Sequence, residues 1–234
     1  MFMLCYCNGA LARESIRDKL NKSLGSDQSW EEFNKAALST AIVGKASHSD
    51  PAKIGVYFPL SENIPNVHEG TWRFNYKDGK VIRTEDWNIP HDDVRAILES
   101  QALSMRLRSE PLLFPGPKAS GNLPQPRRLY VVGGGSKNPA IASVMADVLG
   151  GFEGVYKLDI GGNACALGAA YYATWALERK DGEAFEDYVA ERWDEDKQVK
   201  RIGEAYKEGV WEEYGEVLKG FRLVEEEIVR SAHN

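Results

Sequence analysis

The chain has 234 residues, a formal net charge of −6, 43% hydrophobic residues and 27% charged residues. That balance suits a folded globular chain with room for one large domain or a core with an attached lobe. The acidity, with no basic stripe carrying interleaved aromatics, argues against nucleic acid as a partner, and no apolar run approaches the roughly 18 residues of a membrane span.

The apolar start, Phe2–Cys7, is too short for a signal-peptide core and has no basic segment before it. It reads as a buried strand. Cys5, Cys7 and Cys165 cannot all pair, and such sparse cysteine usage points to a reducing compartment, the cytoplasm. Cys5-x-Cys7 sets two thiols on one face of that strand, but no second Cys/His pair lies at metal-ligand spacing. His48, His68, His91 and His233 are scattered, so buried apolar thiols are expected in place of a metal site.

Residues 8–21 suit a helix with Leu11, Ile16 and Leu20 as its apolar positions, broken at Gly25. Ser29-Trp30-Glu31-Glu32 has the pattern of a capping box and predicts a second helix from Ser29. Residues 54–58 read as a strand closed by Pro59, and Thr71–Arg83 as a hairpin about Asp78-Gly79. Asp92 or Asp93 is placed to cap the next helix, in which Val94, Ile97, Leu98, Ala102 and Met105 share a face. Residues 111–126 hold five prolines and two glycines, an irregular connection.

The most informative stretch follows. A strand at 128–132 feeds Gly133-Gly134-Gly135 and a helix that runs to about Leu149. A second strand over Gly154–Asp159, a Gly161-Gly162-Asn163 turn and a helix over Ala164–Glu178 complete the pattern. Strand, helix, strand, helix predicts a parallel or mixed sheet covered by helices. The small residues Ala164, Ala166, Gly168, Ala169 and Ala170 predict close helix-on-sheet packing. From Asp181 the chain is acidic, and Tyr206, Val210, Tyr214, Val217 and Phe221 recur at helical spacing. This predicts a solvated amphipathic helix packed on the outside of the domain.

Three glycines at the carboxyl end of a strand let main chain lie flat against a ligand, and this is where nucleotides bind in α/β sheets. A tight turn without a ligand is the plain alternative. A dinucleotide fingerprint is incomplete, because Asn138 stands where its third glycine belongs, although Asp159 ends a strand near the place of a ribose contact. A Walker phosphate loop is absent, despite Lys137.

Gly133-Gly-Gly-Ser-Lys-Asn138, Met145-Ala-Asp-Val148 and Ala164–Ala170 together resemble the adenosine-binding region of FGGY-type carbohydrate kinases. Leu4-Cys5-Tyr6, Asn8-Gly9, Leu11–Glu14, Ile16–Asp18, Trp30 in its Ser-Trp-x-x-Phe setting and the helix over Val94–Arg106 are similar to fungal-type xylulose kinases in that family. The resemblance covers residues 1–178. It implies an α/β fold of the actin-like ATPase (ribonuclease H-like) class, with a mixed sheet flanked by helices and a helical acidic tail. It further implies an adenosine-binding C-terminal domain over 1–180 and a helical extension over 181–234.

The activity so implied is transfer of phosphate from ATP, with Mg2+, to D-xylulose, giving D-xylulose 5-phosphate. The resemblance matches Trp30, Gly134, Gly135 and Asn138 to ATP-binding positions. Neither a catalytic residue nor a metal ligand is carried over. The family's catalytic Asp, its phosphate motif and most sugar contacts belong to an N-terminal domain expected to be missing from this chain, which alone is expected to be inactive. A catalytically silent nucleotide-binding or interaction module, a kinase of a related sugar and an NAD-binding domain are the alternatives.

Overall fold

The computed structural model describes residues 3–113, 124–160, 163–203, 207 and 209–232. Most of the Pro-rich connection and the Gly161-Gly162 turn lie outside them, as does Tyr206.

Helix α1 (Gly9–Leu24) ends where expected, at Gly25 with φ 64°, and Ser26 N–H donates to the Asn21 carbonyl at 3.0 Å. Its buried stripe is Ala12, Ile16 and Leu20. Leu11, expected inside, is 40% exposed because it lies one position off that stripe. Helix α2 (Glu31–Ser39) forms without a capping box. Trp30 holds the cap position, and Ser29 Oγ accepts the Glu31 N–H instead. The Glu31 and Glu32 carboxylates still favour the positive end of the helix dipole.

The apolar start does not form the expected strand, and all three cysteines are exposed. A strand needs a paired edge, and this segment is held by side chains. The Cys7 and Asn8 N–H groups donate to the Glu62 carboxylate at 2.7 and 3.0 Å, and Ser104 Oγ donates to Tyr6 Oη at 3.2 Å.

Strands β1 (Ala52–Phe58), β2 (Gly70–Lys77) and β3 (Lys80–Arg83) form an antiparallel sheet in that order. The β2–β3 turn has φ 50° at Asp78 and 75° at Gly79, as a two-residue hairpin requires. Neither acidic candidate caps α3 (His91–Ser109), whose cap is Pro90. Asp93 is fully buried, pairs with Arg73 Nε at 2.7 Å and accepts the Tyr57 hydroxyl at 2.7 Å. Asp92 accepts the Asn88 N–H at 2.8 Å. The two carboxylates thus tie the helix to the first sheet and to the loop before it.

Among the described residues a second three-stranded sheet, a mixed one, arises where the strand–helix order predicts a parallel or mixed sheet. β4 (Leu129–Val131) runs parallel to β5 (Val155–Leu158), with α4 (Pro139–Leu149) between them in sequence. β6 (Val199–Gly203) adds antiparallel to β5. The acidic tail therefore supplies a strand, with the short helices α6 (Phe185–Ala190) and α7 (Glu195–Gln198) ahead of it. Helix α5 (Ala164–Glu178) matches its expected span but buries no residue. It meets α6 through Tyr172, Trp175 and Phe185, whose rings lie 5.2–5.6 Å apart. Small residues offer little area to bury, so the aromatic end decides where this helix rests.

Helix α8 (Val210–Ala232) packs through the apolar face that the helical spacing of Tyr214, Val217 and Phe221 predicts. Trp211, Tyr214, Phe221, Val224 and Ile228 are buried, each at 2% exposure or less. Tyr214 donates to Glu99 Oε1 at 2.7 Å; Arg95 Nε contacts the same oxygen at 2.7 Å and the Val43 N–H donates to it at 2.9 Å. Arg95 also donates to the Ala37 carbonyl at 3.0 Å and to Tyr214 Oη at 3.0 Å. Burial pushes the Glu99 carboxyl above its ordinary value, against the pull of Arg95. A second tie comes from Arg106, which donates to the carbonyls of Val148 and Trp211 at 3.1 and 2.8 Å. Burial pushes its guanidinium down to about 10.

Two stability measurements follow from these ties. Glu99→Ala leaves the buried Arg95 charge without its carboxylate and the Val43 N–H without its acceptor, and should cost ~3–5 kcal/mol, read as a shift of the urea midpoint; Tyr214→Phe should cost ~1–2 kcal/mol. A loss below ~1 kcal/mol for Glu99→Ala would refute the role given to that carboxylate. The second concerns Glu62. Burial opposes its charge, but main-chain N–H groups of Cys7, Asn8 and Asn63 hold it below the ordinary carboxylate value. Its contribution is therefore present above the unfolded value and lost as pH falls through the folded one. Glu62→Gln should flatten the acid limb of the stability curve, and an unchanged limb would sink the assignment.

Candidate functional site

The glycine turn follows directly from the geometry of β4 and α4. Gly133 has φ 82° and ψ −161°, a backbone that only glycine adopts readily. One 3-10 turn, Gly134–Lys137, then leads into Asn138, which is extended at φ −95° and caps α4. The Asn138 Oδ1 accepts the Ile141 N–H at 3.0 Å, which leaves Nδ2 as the end of the amide not used in the cap.

A cleft of about 760 Å³, open to solvent, lies between this turn and helices α1 and α2. All four residues singled out from the sequence line it: Trp30, Gly134, Gly135 and Asn138. Trp30 is half-buried, stands edge-on to Phe33 at 5.1 Å and carries the Arg17 guanidinium 4.6 Å from its ring centroid. Those contacts hold the indole as a firm apolar wall.

Gly134 and Gly135 differ from Gly133 in a telling way. Neither has a positive φ. A Cβ on Gly134 would meet nothing within 4 Å, and one on Gly135 only Ile141 Cγ2 at 3.9 Å and Arg13 Nη2 at 4.0 Å. Neither the backbone nor the packing of this chain calls for glycine there. The bare main chain faces open space in the cleft.

Other lining residues were not singled out from the sequence: Arg13 and Glu14 on α1, Asn34 on α2, and Lys137. Trp30 and Asn34 are four apart and so share a side of α2, a signal the sequence does contain. The Asn34 Oδ1 is buried without a hydrogen-bond partner among the described residues. Nothing in the sequence marks Arg13, because its place in the wall comes from the packing of α1. Asp159 does not line the cleft; it pairs with Lys200 beyond the end of β5. Among the described residues no cluster of three or more His, Cys, Asp or Glu could hold a metal ion. No described helix is long and apolar enough to cross a membrane.

A strand–glycine turn–helix unit faces an aromatic wall across this cleft, and comparison with known proteins gives the chain a family. The profile of the FGGY family of carbohydrate kinases, C-terminal domain, matches residues 1–177, and the chain belongs to that family. "Probable D-xylulose kinase A" of Aspergillus clavatus is 52% identical over 235 residues, covering 98% of this chain and 40% of the relative. "D-xylulose kinase A" of Aspergillus niger is 51% identical over 236 residues, with 98% and 41% covered. The match thus runs through the acidic tail as well. The chain spans about 40% of the length of these relatives. Among solved structures, xylulose kinase from Rhodospirillum rubrum superposes with a TM-score of 0.60 at 18% identity, over 96% of this chain and 39% of that one. That likeness bears on the fold.

Since glycine is not required at 134 or 135 for folding, Gly134→Ala and Gly135→Ala should leave stability within ~1 kcal/mol of the parent, or raise it slightly. Thermal unfolding of both variants checks this. A large loss would mean that the glycines serve the fold and not the cleft.

Proposed function

We propose that this cleft holds the adenosine part of ATP, and that the chain is the nucleotide-binding portion of a kinase that converts D-xylulose to D-xylulose 5-phosphate. The observation that carries the reading is the convergence of Trp30, Gly134, Gly135 and Asn138 on one cleft, with two glycines that nothing in the chain itself requires. Trp30 offers a flat wall to a purine or ribose, the main chain at Gly134 and Gly135 permits close approach, and Asn138 Nδ2 is a donor beside them. The names of the 52%-identical relatives support D-xylulose as the sugar.

In this reading the fold is an actin-like ATPase domain, with 1–180 carrying the adenosine site, 181–234 bracing it, and the reaction placed in the cytoplasm. The general base that must take the proton of the sugar hydroxyl belongs to the part of the relatives that this chain does not span. The only carboxylate lining the described cleft is Glu14. Mg2+ in kinases binds one or two carboxylates together with substrate phosphates. A single carboxylate beside Arg13 and Lys137 does not make such a site, so no step is assigned to a metal held by these residues.

Titration calorimetry of the 234-residue chain tests the reading. ATP should bind, Trp30→Ala and Asn138→Ala should each weaken it about tenfold, by ~1–2 kcal/mol, and xylulose should not be turned over. Unchanged affinity in both variants would show that the nucleotide lies elsewhere. Turnover of xylulose by this chain would overturn the placement of the base.

A further inference from the structure

We propose that Arg13 is the cation that receives the phosphate charge of the nucleotide at the glycine turn. The inference rests on the adenosine reading of the cleft and adds a contact for a different part of the ligand.

Four other arginines with little exposure have their charge answered inside the chain. Arg73 pairs with Asp93, Arg95 with Glu99 and Arg108 with Glu225, while Arg106 donates to two main-chain carbonyls. Arg13 is different. Its hydrogen-bond partner among the described residues is neutral, Nη1 donating to Gln101 Oε1 at 2.6 Å, while the neighbouring Glu14 carboxylate acts on it only through space. Gln101 is itself oriented, because its Nε2 donates to the Gly9 carbonyl at 2.9 Å, which turns Oε1 toward the guanidinium. One hydrogen bond of five possible donors thus sets the side chain in place.

The direction of Arg13 is what makes it useful. Its Nη2 lies 4.0 Å from the point where a Gly135 Cβ would sit, so a group resting over Gly135 would meet the guanidinium and the main chain of the turn together. A planar fork of N–H donors suits phosphate oxygens in two-point contact. Lys137 lines the same cleft, against the single carboxylate of Glu14. A net positive cleft on an acidic chain favours an anion there. Burial works against the charge of Arg13 and draws its guanidinium below the ordinary value. An arriving anion would offset that cost, whereas an uncharged ligand would not.

Calorimetry with adenosine, AMP, ADP and inorganic phosphate on the full 234-residue chain separates the possibilities. The parent should bind ADP more tightly than adenosine. Arg13→Gln should lose about ten- to a hundredfold in ADP affinity and leave adenosine within about twofold. Arg13→Lys, which keeps the charge and loses the fork, should fall between the two. Gln101→Leu removes the brace and keeps the cation, so it should cost ADP less than Arg13→Gln does.

Equal losses for adenosine and ADP in Arg13→Gln, no loss for ADP, or a Gln101→Leu loss as large as that of Arg13→Gln would each overturn the inference. If Arg13→Gln does not fold, Arg13→Lys decides: weaker ADP with unchanged adenosine supports the assignment, and unchanged ADP overturns it. Inorganic phosphate binding to the parent but not to Arg13→Gln would support an anion subsite that works without the base. Failure of the parent to bind adenosine, AMP and ADP alike would sink the adenosine reading itself and this inference with it. An intact parent with an indifferent Arg13→Gln would sink this inference alone.

Discussion

The carboxylate of Glu99 imposes the strictest requirement on this structure. A charge buried at that depth is tolerated only when its lone pairs are answered, and here the answers come from three directions. Arg95 lies one turn back on α3, Tyr214 arrives from α8, and the Val43 N–H comes from the segment after α2. Satisfying one group therefore places the last helix of the chain and the exit of α2 on the same face of α3. Arg106 acts similarly one level along, joining the end of α4 and the start of α8 to α3.

This arrangement reaches the cleft through packing. Helices α1, α2 and α4 all rest on α3. One wall of the cleft, with Arg13 and Trp30, belongs to α1 and to α2 and its cap; the other wall, with Asn138, belongs to the cap of α4. The gap between an indole and a glycine turn more than a hundred residues away is thus set through a helix on which both walls rest. A cleft supported on a charged, fully partnered core has little freedom to drift, which suits a site that must present a flat wall and bare main chain at a fixed separation.

The glycine turn divides its labour among three residues. Gly133 answers a backbone need and Gly134 and Gly135 do not, so the open surface above them is a property of the site and not of the chain's own geometry. Asn138 is shared: its oxygen starts a helix, and the other end of the same amide remains for a ligand. Arg13, on the cleft wall, is held by the neutral amide of Gln101, whereas Arg73, Arg95 and Arg108 are held by carboxylates.

Much of this was legible in the residues because it is local. The Asp78-Gly79 hairpin, the Gly25 stop, the β4–glycine turn–α4 unit and the span of α5 depend on neighbours a few positions away, and each formed as its pattern predicts. The four residues that share one cleft were also named together, through the family likeness of the text around them. What failed was nonlocal. Asp93 and Asp92 look like caps, but one was drawn into a buried pair with Arg73 and the other bonds to the loop before the helix. The apolar start looks like a strand, but Glu62 claims its donors. The acidic tail looks helical throughout, but its residues 199–203 add a strand to the edge of β5. Sequence determined the main helices, the hairpin and the glycine turn, and which family they compose. Only the tertiary structure decided who stands opposite whom, because a buried charge takes its partners from wherever packing brings them and spacing along the chain does not record that.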